Sequence, residues 1–166
     1  MEENNITVKI ANGKFSYRVG AIIIDSNKVL LVKNFKEPFY YTVGGRIKFG
    51  ETTEEAVLRE SLEETGIPLE IDRLLFIQEN FFIMESNKGK FHELVLYYLM
   101  KANEKIKEIN KKVFSEEYDN AILDWYKIEN LDKIIVYPDF LKTELFELSQ
   151  NIKHFITKDG KTEECK

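Results

Sequence analysis

One glutamate-rich segment constrains the fold more sharply than the rest of this 166-residue chain. Thr52 followed by Glu55 matches a capping box, in which two residues satisfy each other's backbone N–H groups at the start of a helix. Gly66 stands where a helix C-cap in the left-handed conformation is expected, and Pro68 cannot continue a helix. The sequence therefore predicts a helix that runs from Thr52 to Thr65.

The negative charge of the chain is concentrated in this same segment. The whole sequence holds 24 Lys and Arg against 29 Asp and Glu, a net charge of −5. Residues 51–66 hold six Glu and one Arg, so the remainder is balanced with 23 charges of each sign. A neutral background gives little attraction to a nucleic-acid polymer, which is disfavoured as a partner, although a local basic patch could still bind one.

Three glutamates of the segment share one face of the predicted helix. With successive residues turned by about 100°, the side chains of Glu60, Glu63 and Glu64 fall within an arc of roughly 100°. The other side is predicted to pack on a core through three apolar residues, Val57, Leu58 and Leu62. Carboxylates this close repel one another, and those in the last turns also oppose the helix dipole. The face is therefore either a solvated acidic surface or a site for a hard divalent cation such as Mg²⁺ or Mn²⁺.

The spacing of the residues around the helix distinguishes between these two interpretations. The fixed residues are, in chain order, Gly45, Glu51, Arg59, Glu60, Glu63, Glu64 and Gly66. Five residues separate the first two, and seven separate the second from the third. This pattern from Gly45 to Ile67 resembles the Nudix box, a 23-residue signature, at every fixed position. It departs from the signature where a bulky apolar residue is expected first, because Ser61 stands there.

The resemblance implies both a fold and an activity. The fold is a Nudix-type α/β/α sandwich around a mixed β-sheet. The activity is hydrolysis of a phosphoanhydride bond in a nucleoside diphosphate linked to another group, by a water that Mg²⁺ or Mn²⁺ activates. Bound cations also neutralise the charge that develops on phosphoryl oxygens.

The resemblance also implies roles for individual residues. Four groups are similar to the metal ligands of the family: the carboxylates of Glu60, Glu63 and Glu64 and the backbone carbonyl of Gly45. Arg59 resembles the arginine that pairs with Glu51 or Glu63 and orients them. Glu60 is the first candidate for the catalytic base.

A carboxylate outside the box is a second candidate for the base. Glu93 stands in an otherwise apolar predicted strand, where an acid is unusual and suggests a partner. A strand-edge residue that faces water is the alternative interpretation. Its neighbour His92 is directed to the opposite face by strand alternation.

Candidates for substrate binding lie near the box in the predicted fold. They are two cations and two aromatic residues, Arg18, Lys48, Tyr41 and Phe81. The cations could contact phosphates and the rings could stack on a base. Arg18 could equally be an exposed cross-strand partner, and the rings could be core or pocket wall.

Outside the box the patterns predict mainly strands. The predicted strands are Phe15–Ile24, Val29–Val32, Tyr40–Val43, Ile71–Met84, Phe91–Lys101 and Ala121–Ile128. The first two form a hairpin, and polar residues 85–90 join the fourth and fifth in another. Pro138 is predicted to open an amphipathic helix that reaches about Asn151, and the chain from about Lys158 is predicted to be frayed. We expect one domain over residues 1–166, with its core at about 15–151.

Three features of the sequence bear on the compartment in which the protein is expected. The longest apolar run, Leu94–Met100, has seven residues, far fewer than the roughly 20 that a membrane-spanning helix needs. A single cysteine, Cys165, allows no disulfide within one chain, and the polar start at residues 1–5 does not resemble a signal peptide. These features predict a cytoplasmic protein without a membrane partner.

Three functions remain open at this point. The first is a hydrolase of a small nucleotide-type diphosphate, the second a Nudix-fold sensor that binds a nucleotide without cleaving it, and the third a pyrophosphohydrolase of RNA 5′ ends. The complete box favours hydrolysis, because a sensor has no need of three mutually repelling carboxylates. The substrate, the attacked phosphorus and the choice between monomer and homodimer are left undecided.

Overall fold

The computed structural model describes residues 4–35, 38–84, 88–114, 121–158 and 160–165. Over these residues eleven strands form one mixed sheet. The strands are β1 (Thr7–Ile10), β2 (Gly13–Asp25), β3 (Lys28–Asn34), β4 (Tyr40–Arg46), β5 (Glu70–Ile83), β6 (Lys90–Lys101), β7 (Lys112–Phe114), β8 (Ala121–Lys127), β9 (Val136–Tyr137), β10 (Lys153–Lys158) and β11 (Lys161–Glu164). The helices are α1 (Thr53–Thr65), α2 (Glu104–Lys107), α3 (Leu141–Glu144) and a 3₁₀ helix (Ile128–Lys133).

The long strand β2 organises the sheet. The strand order is β11-β10-β5-β6-β2-β4-β3-β8-β7, with β1 paired to β2 and β9 paired to β4. One edge of β2 runs parallel to β6, and its other edge pairs in turn with β1, β4 and β3. Strand β4 pairs with β3 as far as Thr42 and with β2 from Val43 to Arg46, so it passes from one partner to the other between Thr42 and Val43, just before Gly44 and Gly45.

Helices cover both faces of this sheet. On one face Ala56 and Val57 of α1 are buried in a core with Val19, Ala21 and Val43. The core of the opposite face includes Ile22, Phe76 and Tyr97, and the 3₁₀ helix and α3 add Leu131, Leu141 and Leu145 to it. The predicted α/β architecture is therefore confirmed. None of the helices in the described ranges is long and apolar enough to cross a membrane.

The predictions of the six strands and of the two ends of α1 are confirmed. Each predicted strand overlaps an observed one, and no predicted bound extends more than one residue beyond it. Thr52 Oγ1 accepts a hydrogen bond from the N–H of Glu55, whose carboxylate accepts one from the N–H of Thr52, and Gly66 caps the C-terminus at φ +69°. Residues 85–87 of the polar turn before β6 and residues 1–3 at the start lie outside the described residues.

The C-terminal predictions need correction. The helix expected from Pro138 to Asn151 is a single turn, Leu141–Glu144, because the chain must leave the helical path in time for β10 to pair with β5. In place of the frayed end expected from about Lys158, β10 and β11 form an antiparallel hairpin. Phe155 of β10 is buried, so the core extends past the predicted limit of residue 151.

The orientation of α1 also differs from the prediction. Leu58 and Leu62, expected in a core, are 37% and 48% exposed, whereas Ala56 and Ser61 are fully buried. The helix lies close against β4 at its glycine pair, where small side chains fit and leucines do not. The half-buried carboxylate of Glu60 therefore lies on the side of the helix that faces the sheet.

Candidate active site

The packing of α1 on β4 places Glu60 directly against Gly45. A Cβ built on Gly45 would lie 2.5 Å from the carboxylate carbon of Glu60 and 2.5 Å from each of its oxygens. Contacts as short as these are essentially never made by a real Cβ atom, so only glycine fits at this position unless the carboxylate moves. The Glu60 side chain is only 14% exposed. A backbone segment and a carboxylate are thus held in contact at the end of β4.

The preceding glycine allows the two strands to approach each other. Gly44 has φ +148°, and a Cβ on it would collide with the carbonyl of Val19 and lie 2.9 Å from the Cα of Gly20. Both the backbone conformation and the space therefore require glycine at this position. The close contact of β4 with β2 fixes the position of Gly45 relative to the helix.

Arg59 organises the carboxylates around it. Its Nε and Nη2 donate to the two oxygens of Glu51 at 2.7 and 2.9 Å, a bidentate pair. Its Nη1 donates to Glu60 at 2.7 Å and to Glu63 at 3.2 Å, and Nη2 also donates to the carbonyl of Arg46 at 3.1 Å. The hydrogen bonds to Glu51, followed by those to Glu60, raise the pKa of Arg59 above its already high ordinary value. One guanidinium therefore ties helix α1 to the loop and to the end of β4.

Glu51 is held in place by three hydrogen bonds. It accepts the two hydrogen bonds from Arg59 and a third from the backbone N–H of Lys48 at 3.0 Å. The hydrogen bond from Arg59 is the main cause that lowers the pKa of Glu51 below its ordinary value. Glu51 is thus an anion whose role here is to fix Arg59 and the loop between β4 and α1.

The other two box glutamates are placed differently. Glu63 is 43% exposed, and its carboxylate lies between Arg59 Nη1 and the Nζ of Lys48, which is 4.0 Å away. Glu64 is half-buried on the same helix. Within the described ranges no group of three or more His, Cys, Asp or Glu side chains converges to hold a metal ion. Glu60 and Glu63 instead contact the guanidinium of Arg59.

The donor atoms nevertheless suit a hard divalent cation. The available groups are carboxylate oxygens and the carbonyl oxygen of Gly45, an all-oxygen set of the kind that Mg²⁺ prefers. The space that glycine leaves beside the Glu60 carboxylate is where a backbone ligand and a side-chain ligand could act together. The residues present therefore fit such an ion.

Glu93 is not brought to the box glutamates. Val19 and Gly45 face α1, so strand alternation directs Arg18 and Arg46 to the opposite face of the sheet. Glu93 lies on that opposite face, with Oε1 3.8 Å from Nε of Arg18 and Oε2 3.5 Å from Nδ2 of Asn80. Arg18 and Glu93, predicted separately, are thus partners on the side of the sheet away from α1.

Tyr41 and Phe81, the two aromatic residues predicted to contact substrate, do not lie together. Tyr41 is half-buried against the core beneath α1, with its ring 6.2 Å from that of Phe39. Phe81 stacks on His92 at 4.2 Å, far along β5 from the box. His92 also meets Phe15 edge-on at 5.1 Å, so the imidazole is held between two rings on the face away from Glu93.

Two cations on the face of the sheet opposite α1, Arg46 and Lys14, were not identified in the sequence analysis. Arg46 lies across the ladder from Arg18. Lys14 lies near both, since burial and then the positive charges of Arg46 and Arg18 lower the pKa of its ammonium. A signal was present in β2, where polar residues at 14, 16 and 18 alternate with apolar ones at 15, 17 and 19. Such alternation indicates a strand with one polar face.

Comparison with known proteins identifies the family of the chain. The family model for the NUDIX domain matches residues 14–144, and the chain therefore belongs to the Nudix family. The mutator MutT protein from Bacillus halodurans has the same fold, with a TM-score of 0.61 and 21% identity over 89% of this chain and 94% of that one.

Relatives of known name match parts of the chain. An ADP-ribose pyrophosphatase of Methanocaldococcus jannaschii is 45% identical over 60 residues, which are 34% of this chain and 36% of the relative. An m7GpppN-mRNA hydrolase of Xenopus laevis is 28% identical over 130 residues, 72% of this chain and 44% of the relative. The chain thus spans less than half the length of these two proteins.

Proposed function

We propose that this protein is a Mg²⁺-dependent Nudix pyrophosphohydrolase that cleaves a phosphoanhydride bond in a nucleoside diphosphate linked to another group. The observation that carries the proposal is the contact of the Glu60 carboxylate with Gly45, fixed by the hydrogen bonds of Arg59. The names of two relatives, a pyrophosphatase and a cap hydrolase, support the reaction type. We place the reaction in the cytoplasm on the basis of the single cysteine.

Four groups would hold the cation. They are the carboxylates of Glu60, Glu63 and Glu64 and the carbonyl oxygen of Gly45. A bound divalent cation would neutralise phosphate charge and make a coordinated water more acidic. Mg²⁺ binds through few protein ligands and keeps sites for substrate oxygens, so a partial protein shell is adequate.

The positioning of the site and the transfer of the proton are assigned to residues of the chain itself. Arg59 and Glu51 hold the loop against the helix, so that Glu60 stays at the strand end. Glu60 is proposed as the base that accepts a proton from the attacking water, because its carboxylate is held against the backbone of Gly45. Glu63, the most exposed of the three, would exchange its contacts with Arg59 and Lys48 for the cation.

A substrate panel tests the proposal. Purified protein would be incubated at millimolar Mg²⁺ with nucleoside triphosphates, nucleotide sugars, ADP-ribose, dinucleoside polyphosphates and 5′-capped RNA. Turnover of a small nucleotide compound, with ¹⁸O from labelled water in one phosphate product, is the expected result. Tight binding without turnover would instead identify a sensor, and preferential release of the RNA cap would identify an RNA-processing enzyme.

A further inference from the structure

A groove of about 500 Å³ lies where β2 and β6 begin and where β5 and β10 end. Its lining includes Phe15, Phe81 and His92. Phe15 lies four residues before Val19, the ladder partner of Gly45, and four residues of extended strand span about 13 Å. The groove is therefore separate from the candidate active site. Its volume falls within the range of about 300–1,000 Å³ that is typical of sites for small ligands.

Three rings of the lining are held in a fixed arrangement. The imidazole of His92 stacks on the ring of Phe81, with centroids 4.2 Å apart, and meets the ring of Phe15 edge-on at 5.1 Å. Phe15 and Phe81 are the register partners of His92 on the two neighbouring strands, so the sheet itself fixes the spacing of the rings. All three side chains are half-buried. A planar aromatic ligand is stabilised by ring surface of this kind, through stacked or edge-on contacts.

Two isoleucines add exposed apolar surface to the groove. Ile10 of β1 and Ile83 of β5 both belong to the lining, and they are 61% and 53% exposed. Apolar surface of this kind is in contact with water and is stabilised when a ligand removes it from water. The rings and the isoleucines together therefore favour a ligand with a large apolar or aromatic part.

The charge of the lining is positive. Three lysines belong to it, Lys14, Lys90 and Lys158, and among the described residues no Asp or Glu does. Lys14 lies over the ring of Phe91 at 5.9 Å, and its positive charge is partly offset by Glu93 nearby. Lys90 and Lys158 are exposed, so an anion in the groove would depend mainly on these two.

The combination of rings and lysines restricts the chemistry of the ligand. A purely apolar ligand would leave the lysines unused, and a small inorganic anion would leave the rings and isoleucines unused. In a symmetric contact between two copies of the chain, the lysines of one groove would lie near those of the other, and like charges repel. A planar ring that carries a phosphate group complements both the aromatic and the positive part of the lining.

We propose that this groove is a second binding site, separate from the candidate active site, for a planar aromatic compound that carries a phosphate group, such as a nucleoside monophosphate. The ring would contact Phe15, Phe81 and the two isoleucines, and the phosphate would pair with Lys90 or Lys158. Phe81, which was predicted to stack on a base of the substrate, would then act in this second site. Binding here requires neither a divalent cation nor hydrolysis and does not depend on the proposed function.

Calorimetric titration with AMP in EDTA tests the site. Wild type is expected to bind AMP more tightly than adenosine, which lacks the phosphate, or ribose 5-phosphate, which lacks the ring. Phe81→Leu should weaken AMP binding about tenfold through loss of aromatic contact. Lys90→Gln and Lys158→Gln, which alter exposed side chains and preserve the fold, should each weaken it about threefold.

The matched control is Lys101→Gln, a change of an exposed lysine of β6 that pairs with Glu70 outside the groove. This variant should bind AMP as wild type does. Adenosine binding as tight as that of AMP would overturn the proposal. Equal affinity of wild type and a Lys90→Gln/Lys158→Gln double variant would overturn it as well.

Amide chemical shifts of ¹⁵N-labelled protein show where AMP binds. The proposal predicts that AMP perturbs residues 13–15, 81–83 and 90–92 while residues 45–66 stay unchanged. Perturbation confined to residues 45–66 would overturn it, because AMP would then occupy the candidate active site. Absence of AMP binding together with dimerisation through the groove would also overturn it, in favour of an interface between two copies of the chain.

Discussion

Arg59 is the residue through which the loop, the helix and the strand end are joined. Its guanidinium contacts carboxylates of Glu51, Glu60 and Glu63 and the carbonyl of Arg46, while its side chain is only 20% exposed. In this half-buried setting each hydrogen bond between charged groups is stronger than a neutral one. The geometry of the candidate site therefore depends on charge pairing within the box.

This dependence predicts how stability changes with pH. The pKa of Glu51 is lowered in the folded state by its hydrogen bond from Arg59. Its stabilising effect is therefore fully present above the ordinary carboxyl pKa of 4.5 and is lost as pH falls through the lower folded-state value. Glu51→Gln should reduce the free energy of unfolding at pH 7 and flatten its decline below about pH 4.5.

Urea unfolding from pH 3 to 7 would measure this effect. Glu70→Gln provides the control, since the Glu70 side chain is 79% exposed and pairs only loosely with Lys101 at the surface. A Glu51→Gln protein whose stability falls with acid as steeply as wild type would contradict the role of this pair.

Ser61 gives a second prediction at the scale of one residue. It stands where the Nudix signature has an apolar residue, is fully buried, and its hydroxyl has no hydrogen-bond partner in the described part of the chain. A buried unsatisfied hydroxyl costs about 1–3 kcal/mol. Ser61→Ala should therefore raise the free energy of unfolding by about 1 kcal/mol, whereas a lower value would show that the hydroxyl has a stabilising contact.

At the scale of elements, helix α1 shows what local patterns reveal. Its boundaries were predictable because caps depend on neighbouring residues, here Thr52, Glu55 and Gly66. Its rotation was not, because apolar residues were expected to face inward. Strand β4 beneath the helix contains two adjacent glycines, and close approach there buries Ala56 and Ser61 while Leu62 faces solvent.

Shortening one side chain on each side of α1 tests this orientation. Val57→Ala should lower the free energy of unfolding by about 2 kcal/mol, because Val57 is fully buried. Leu62→Ala removes a larger side chain but should cost less than about 0.5 kcal/mol, because that residue is 48% exposed. Thermal or urea unfolding of both variants gives the comparison. A larger loss in Leu62→Ala than in Val57→Ala would mean that the helix is rotated toward the first prediction.

At the scale of the whole molecule, sequence distance separates what could be predicted from what could not. The hairpin of β2 and β3 follows from adjacent strands and a polar turn. The parallel pairing of β10 with β5 joins Lys153 to Phe76, far apart in the chain, and no local pattern indicates it. The polar sequence of β11 looks unstructured on its own, but it pairs with β10, which is itself held on the edge of β5.

The candidate site divides in the same way. The resemblance implied that Arg59 pairs with Glu51 or Glu63, and the structure shows hydrogen bonds to both, all within one loop and helix. The positions of Glu93 and Arg46 depend on how β6 and β4 flank β2, which is a property of the assembled sheet. Residues that act through such pairing are visible only in the structure.

Hydrolysis by wild type and by Glu64→Gln, measured across a Mg²⁺ titration, tests the central claim most directly. Wild type should release phosphate-bearing products from a nucleoside diphosphate compound as Mg²⁺ rises to millimolar levels. Glu64→Gln should lose at least about 100-fold in kcat while its unfolding midpoint stays unchanged. If wild type is inactive at every Mg²⁺ concentration, or if the glutamine variant keeps full activity, the assignment of these carboxylates to catalysis is wrong.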